Sequence, residues 1–280
     1  MSILKASYRF ASLCLRYKYT LSSRIPLSVG YQDYKFHYIK TFINNGGLTY
    51  FTNKQLPDNY GYRLDERVVE YPWFLSSLKD EEKIILDAGS VLNFTHILST
   101  EKLQNRSLYL STLSYEGRAD TFPSPSYIYE DLRNMCFKDN FFDAICCLST
   151  LEHIGLDNTR FYTPDPAKRE SDVYSYLTAV REFKRVLKTG GTLYLSVPFG
   201  EYKNYGWLQI FTSKMINNLI ETFAPEKCTK IFFHYEKNQW NFSSEDFCQD
   251  GDYFDIHNSG QYMYDFLAAA RSIACISLTK

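Results

Sequence analysis

Lys83-Ile84-Ile85-Leu86-Asp87-Ala88-Gly89-Ser90 is the stretch that decides the fold of this 280-residue chain. An apolar run that ends in an acid and a glycine reads as a strand buried on both faces and closed by a tight turn. Alternation of apolar and polar residues is lost only where both sides of a strand are covered. Working outward, Ser107–Leu113, Tyr127-Ile128-Tyr129, Phe142–Leu148, Thr192–Val197, Lys230–Tyr235 and Ala274–Leu278 read as further strands. Glu66–Leu78 and residues 91–104, 172–188 and 262–271 read as helices between or beside them. The segment 172–188 is the most regular. Val173, Leu177, Val180, Phe183 and Leu187 repeat at three and four, Ser171 or Asp172 supplies the N-cap, and Gly190-Gly191 ends it. Strands alternating with helices predict an α/β domain over residues 63–280, a doubly wound, mostly parallel sheet covered on both faces.

Residues 1–62 stand apart as an N-terminal helical and aromatic extension. Ile3, Phe10, Leu13, Cys14, Tyr17 and Leu21 fall on one side of a helix over 3–22, with Lys5, Arg9 and Arg16 on another. That helix packs on the protein's own body or on a second copy, as a homodimer; a membrane-surface helix is the alternative. Pro26 ends it, a short stretch with Tyr31, Tyr34, Phe36 and Tyr38 follows, and turn signals mark 41–62 as connecting structure.

Composition excludes several classes. Lys plus Arg total 31 against 32 for Asp plus Glu, so the net charge of −1 argues against a nucleic-acid partner. The seven cysteines include no C-x-x-C, and Cys146-Cys147 sit in an apolar run where neighbouring side chains point oppositely. That is the pattern of reduced core thiols, not of disulfides or a metal site. The five histidines have no metal-ligand spacing. No apolar run is long enough to span a membrane, and basic residues interrupt the start, so a cytoplasmic location is expected. Aromatic residues make 17% of the chain, as core or as the lining of a pocket for a flat, cationic or sugar-like ligand.

In an open parallel sheet, ligands bind beyond the carboxyl ends of the strands. The first junction, Asp87–Ser90, lacks the G-x-G-x-x-G that lets a backbone approach a pyrophosphate. An acid there repels a diphosphate and suits an ammonium, which points to a cofactor with a cationic amino-acid end. Leu86-Asp87-Ala88-Gly89-Ser90, Asp131-Leu132-Arg133, Phe137–Asp143, Ser149-Thr150-Leu151-Glu152-His153-Ile154-Gly155 and Arg185–Leu193 together, in this order, resemble class I S-adenosylmethionine-dependent methyltransferases. The resemblance spans roughly residues 66–200 and implies a Rossmann-like methyltransferase fold with S-adenosylmethionine as cofactor.

Carried over residue by residue, the resemblance implies that Asp87, Ala88, Gly89 and Ser90 hold the methionine portion. Asp87 meets the ammonium directly or through water, and Gly89 allows close approach. Asp131 accepts from the adenine amino group, Leu132 supplies an amide and an apolar contact, and Ser149 borders the sulfonium. The other reading of Asp87 and Asp131 is that each caps the next helix. Two departures stand out. No acid ends the second strand, so Thr112 or Glu116 must meet the ribose, and Val91 and Asn93 stand where further glycines are common.

Methyl transfer from a sulfonium relies on positioning and desolvation, with a base needed only where the acceptor loses a proton. His153, with Glu152 beside it, is the candidate base; its other reading is a cap on the following turn. Segment 156–171 forms acceptor wall or surface loop. Asp250-Gly251-Asp252 resembles the metal-binding D-x-D of nucleotide-sugar glycosyltransferases, but so short a motif reads better as a surface turn. The expected activity is methylation of a small molecule or glycan precursor, the alternative being a non-catalytic, methyltransferase-like binding or scaffold subunit. An open cleft leaves a sulfonium in water, so the N-terminal 60 residues are expected to act as a lid.

Overall fold

The computed structural model describes residues 3–115 and 125–280. Four helices come first: α1 (Ile3–Leu21), α2 (Tyr31–Asn44), α3 (Leu48–Thr52) and α4 (Arg67–Ser77). The sheet region then runs β1 (Ile84–Ala88), α5 (Thr95–Leu98), β2 (Ser107–Thr112), β3 (Ser126–Tyr129), β4 (Phe142–Leu148) and α6 (Thr159–Tyr162). It continues with α7 (Tyr176–Val186), β5 (Leu187–Pro198), α8 (Ser213–Phe223), β6 (Lys227–Glu236), β7 (Gln239–Ser243), α9 (Glu245–Cys248) and β8 (Ser272–Thr279).

Among the described residues the eight strands form one sheet in the order β3-β2-β1-β4-β5-β8-β6-β7. The pairs from β3 through to β5 are parallel, while β8 runs antiparallel to both β5 and β6. The chain winds outward from β1 through β2 to β3, then returns to lay β4 on the other side of β1. The switch point therefore lies between β1 and β4, which opens a crevice at their carboxyl ends. Successive residues of each central strand feed opposite cores. Ile85, Cys146 and Cys275 face the core shared with α2 and α4, whereas Leu86, Cys147 and Leu195 face the one shared with α7 and α8.

α4 carries Pro72 in its interior, which removes the N–H that would bond to Val68 four residues back. The freed Val68 carbonyl accepts instead from the Tyr60 hydroxyl at 2.5 Å, so the helix continues. Tyr19, Tyr31, Ile39 and Phe51 of the extension are buried in the same core as Val69 and Phe74 of α4, and Phe51 also packs on Phe233 and Phe242 of the sheet edge.

Several expected elements differ. Residues 91–104 hold one α-turn and the short 3₁₀ turn Glu101–Leu103 rather than a full helix. Here Asp87 binds the N–H groups of Val91 and Leu92, folding the chain into the core before a helix starts. The helix expected over 262–271 is absent. Phe254 donates to Ala269 O, Arg271 N donates to Asp252 O and Ala270 N donates to Glu66, so those residues are committed to extended pairing. Arg271 further grips Asp252 and Asp265. The aromatic stretch from Tyr31 is a full helix reaching into the expected connecting segment, and α3 lies there too. β7 and α8 had no counterpart in the sequence reading, and α7 starts at Tyr176, four residues later than its expected cap.

Candidate functional site

Three chain reversals line up along the carboxyl edge of the sheet. Gly89 N–H donates to Ser111 O, Glu130 N–H donates to Thr112 O, and Ser149 N–H donates to Ser196 O. These bonds set the turns after β1, β3 and β4 side by side with the ends of β2 and β5. Gly89 has φ +112°, and a Cβ there would lie 2.3 Å from Thr150 Oγ1. The turn after β1 therefore presses directly on the residue after Ser149. Glycine is required at that contact.

Asp87 is fully buried beneath this turn. Its Oδ1 accepts from Val91 N–H at 3.1 Å and its Oδ2 from Leu92 N–H at 2.7 Å. Ala88, Ser90 and Thr112 are buried as well, and Asn93 donates to Ser90 Oγ while accepting from Tyr127. Asn93 thus fills with hydrogen bonds a position where a glycine was expected. The accessible groups on this edge are fewer: the partly exposed backbone at Gly89, Thr150, Glu130 and Asp131. Glu116 lies outside the described residues.

Asp131 follows β3 with its side chain 38% exposed. Arg133 donates to both of its oxygens through Nε, and through Nη2 at 2.6 Å. Partial burial raises the Asp131 carboxyl, but these bonds outweigh it and hold the group below its ordinary value. The same guanidinium grips both oxygens of Glu170, so the insertion before α7 is tied to the Asp131 turn. Leu132 is buried behind it. Glu130 brings a carboxylate beside the end of β2, accepting from Ser111 Oγ at 3.1 Å.

The first turn of α4 supplies a set of charges that no motif announced. Glu70, 0% exposed, accepts from Ser149 Oγ and Ser196 Oγ at 2.5 Å each, and from Arg67 Nη1 at 2.8 Å. Arg67 also reaches Leu148 O. Ser149, held at φ +40°, is thereby fixed at the tip of β4. Ahead of Arg67, Asp65 pairs with Lys35 of α2 at 2.5 Å. The only hint in the sequence is an acid at position 70 three and four residues before Trp73 and Phe74, on the apolar side of the helix.

Glu152 and His153 form a short turn after β4. Burial pushes the Glu152 carboxyl well above its ordinary value, and Glu70 and Glu66 add to the rise. His153 binds Trp207 O through Nδ1 at 2.9 Å, and its Nε2 is 3.9 Å from Glu152. Burial lowers it to about 4, and Arg67 and Arg160 push the same way, so it is uncharged at neutral pH. Cavities of about 550 and 300 Å³ lie elsewhere, lined by residues 34–57 and 24–64 with none from the strand ends.

These buried and half-buried groups dictate a pH profile. Glu66 is raised to about 8, by burial first and then by Asp65 and Glu70. A raised carboxyl contributes stability that is full below the unfolded value near 4.5 and fades as pH climbs toward 8. His96, lowered by burial to about 3, and His153 act oppositely, losing stability as pH falls from 6.5 toward 3–4. Glu152 is raised as well, so the two carboxyls and the two imidazoles offset one another between pH 4.5 and 6.5; the urea midpoint should be highest across that range and fall on both sides, by up to about 1.4 kcal/mol per pH unit and group. A midpoint flat from pH 4 to 8 would show that these groups are not buried as described.

Residues 110–195 match the family model described as "Methyltransferase domain". The matched span runs from the end of β2 through the Asp131 turn, Ser149 and Glu152 into β5. No curated protein matches the chain. Among solved structures, the chain resembles a SAM-dependent methyltransferase of Thermotoga maritima described as a possible histamine N-methyltransferase. That match has 14% identity and a TM-score of 0.46, covering 88% of this chain and 99% of the other. A SAM-dependent methyltransferase of Methanosarcina mazei matches at 14% identity and TM-score 0.40, covering 74% and 96%. The [4+2]-cyclase SpnF matches at 14% identity and TM-score 0.42, covering 70% and 73%. The match to a methyltransferase domain thus falls on this strand order and these junctions, over residues 110–195 of the 280-residue chain.

Proposed function

We propose that this enzyme methylates a small molecule or glycan precursor, and that it holds its donor along the edge formed by the turns after β1, β3 and β4. The observation that supports this is the run of backbone bonds aligning Gly89, Ser111-Thr112, Glu130-Asp131 and Ser149 at one end of the sheet. The donor supplies an electrophilic methyl group on a sulfonium. The chain's own residues have to orient two reactants and exclude water. Gly89 lets the backbone approach the methionine portion, and Asp87, from beneath, fixes the shape of that turn rather than meeting the ligand itself. Asp131 and Leu132 serve the adenine, and Glu130 joins Thr112 as a ribose partner at the end of β2. Ser149, locked by Glu70, borders the sulfonium.

The net charge of −1 favours a small acceptor over a nucleic acid. The extension packs beside this edge: Phe36 of α2 lies 4.9 Å from Phe94 and 4.4 Å from His96, ring to ring, just past the β1 turn. That placement supports a covering role for residues 1–62. Phe10, Leu13, Tyr17 and Leu21 are exposed on α1 and give the face a second copy would cover. Among the described residues no helix is long and apolar enough to cross a membrane, and the free cysteines suit a reducing, cytoplasmic setting.

Calorimetry tests the donor site. S-adenosylhomocysteine should bind the purified protein, and Asp131→Ala should weaken it by about 1–3 kcal/mol, the cost of leaving a buried hydrogen-bonding group unpaired. Binding that is unchanged in the variant would remove Asp131 from the site.

A further inference from the structure

Three orphaned polar atoms are carried by two segments that meet just beyond β4. Glu152 is 2% exposed and Gln209 is 0% exposed, yet Glu152 Oε2 and Gln209 Oε1 have no hydrogen-bond partner among the described residues. Trp207 Nε1 is likewise buried without one. The segments carrying them are tied together: Gln209 N–H donates to Glu152 O at 3.1 Å, and His153 Nδ1 binds Trp207 O at 2.9 Å. Unpartnered buried polar atoms are uncommon in native proteins, and a ligand that completes them is one physical reason for their retention.

The atoms differ in kind, and that selects the ligand. With Glu152 as the carboxylate, Glu152 Oε2 and Gln209 Oε1 accept and Trp207 Nε1 donates. An ammonium ion offers donors only, and a phosphate or carboxylate offers acceptors only. A hydroxyl both donates and accepts, so a molecule with several hydroxyls can satisfy all three. An anion is further opposed by the carboxyl groups of Glu66 and Glu70, which lie near enough to act on Glu152. We propose that Glu152, Gln209 and Trp207 form the acceptor subsite for a polyhydroxylated, sugar-like molecule, that the methyl group goes to one of its hydroxyl oxygens, and that Glu152 takes the hydroxyl proton. This rests on the methyltransferase reading above and names the atom methylated.

The step balances. The acceptor oxygen forms the new O–CH₃ bond while the methyl–sulfur bond breaks and its electron pair stays on sulfur as a neutral thioether. The hydroxyl proton passes to the Glu152 carboxylate and then to solvent. Arg67 and Glu70 of α4 and Glu66 at its N-cap face this carboxyl, with His153, Cys147 and Tyr253 from their own segments. Burial and its like-charged neighbours make Glu152 a stronger base than an ordinary carboxylate. His153, lowered to about 4, is the weaker of the two and positions Trp207 through its carbonyl.

The experiment uses the full chain with methyl-labelled S-adenosylmethionine, a panel of free hexoses and deoxyhexoses, and a parallel panel of primary amines. Saturation-transfer NMR on protein loaded with S-adenosylhomocysteine provides the binding readout. At least one sugar should bind, receive an alkali-stable O-methyl label, and lose about tenfold or more in affinity in Gln209→Met. Glu152→Gln should keep its circular dichroism and donor affinity, lose kcat by about 10²–10⁴-fold and lose the rising limb of the pH–kcat profile. Label on an amine nitrogen would overturn the proposal. So would the failure of every sugar to bind the loaded protein, or a Glu152→Gln kcat within about threefold of the parent. A chain that binds no S-adenosylhomocysteine would instead sink the methyltransferase reading itself.

Discussion

Glu70→Ala should lower folding stability by about 3–5 kcal/mol, the usual result of removing one partner from a buried ion pair. The carboxylate accepts from three groups at once: Ser149 Oγ, Ser196 Oγ and Arg67 Nη1. Without it Arg67, three-quarters buried, keeps only the Leu148 carbonyl as a hydrogen-bond acceptor among the described residues, and two hydroxyls under the sheet end lose their acceptor. Surface pairs give a contrast. Lys102–Asp80 is largely exposed, and breaking it should cost less than about 1 kcal/mol. The effect on function should be equally plain. Ser149 keeps φ +40° through its bonds to Ser196 and Glu70, and Thr150 beside it packs on Gly89. Freed of Glu70, that turn relaxes, and donor affinity should fall about tenfold even at a temperature where the variant stays folded. Urea denaturation and calorimetry measure both. A loss under about 1 kcal/mol with unchanged binding would show that the network is decoration.

The strands were legible because a parallel sheet is covered on both faces, which leaves unbroken apolar runs such as Phe142–Leu148. The junctions were legible because strand-end turns carry restricted residues, Gly89 above all. What reading along the chain could not see were partners distant in sequence. Glu70 meets Ser149 at a separation of 79 residues and Ser196 at 126, and no local pattern encodes either meeting. The false helix at 262–271 has the same origin: Ala268–Ala270 favour a helix locally, but their backbone groups and Arg271 are spent on residues 252–254, on Asp265 and on Glu66. Asp87 shows the limit at a single residue. An acid after a strand suits both an incoming ammonium and the N–H groups of its own turn, and the bonds from Val91 and Leu92 show the second role here. Gln209 lies in a stretch without periodicity, so nothing in the sequence marked it.

Lys35→Met should cost about 3–5 kcal/mol as well, because it leaves Asp65 buried without its cation. Lys35 and Asp65 are 5% and 8% exposed, and Nζ lies 2.5 Å from Oδ2. The Tyr31 hydroxyl donates to the same carboxylate at 2.9 Å and accepts from Asp65 N–H at 2.8 Å, while Asp65 Oδ1 accepts from Arg67 N–H. Asp65 thus joins α2 of the extension to the start of α4, and through Arg67 and Glu70 to Ser149. Deleting residues 1–40 would be a blunter test, since it strips Tyr19, Tyr31 and Ile39 from the shared core and unfolds more than a lid. The point substitution keeps that core. Pairing it with Asp65→Leu should recover part of the loss, since the uncompensated charge goes and only the Tyr31 and Arg67 bonds remain broken. If the extension helps order the site, Lys35→Met should also weaken S-adenosylhomocysteine binding, and Lys35→Arg should retain it. An extension that merely dresses the outside predicts a destabilisation under about 1 kcal/mol and unaltered binding, and either result would remove residues 1–62 from the account of the site.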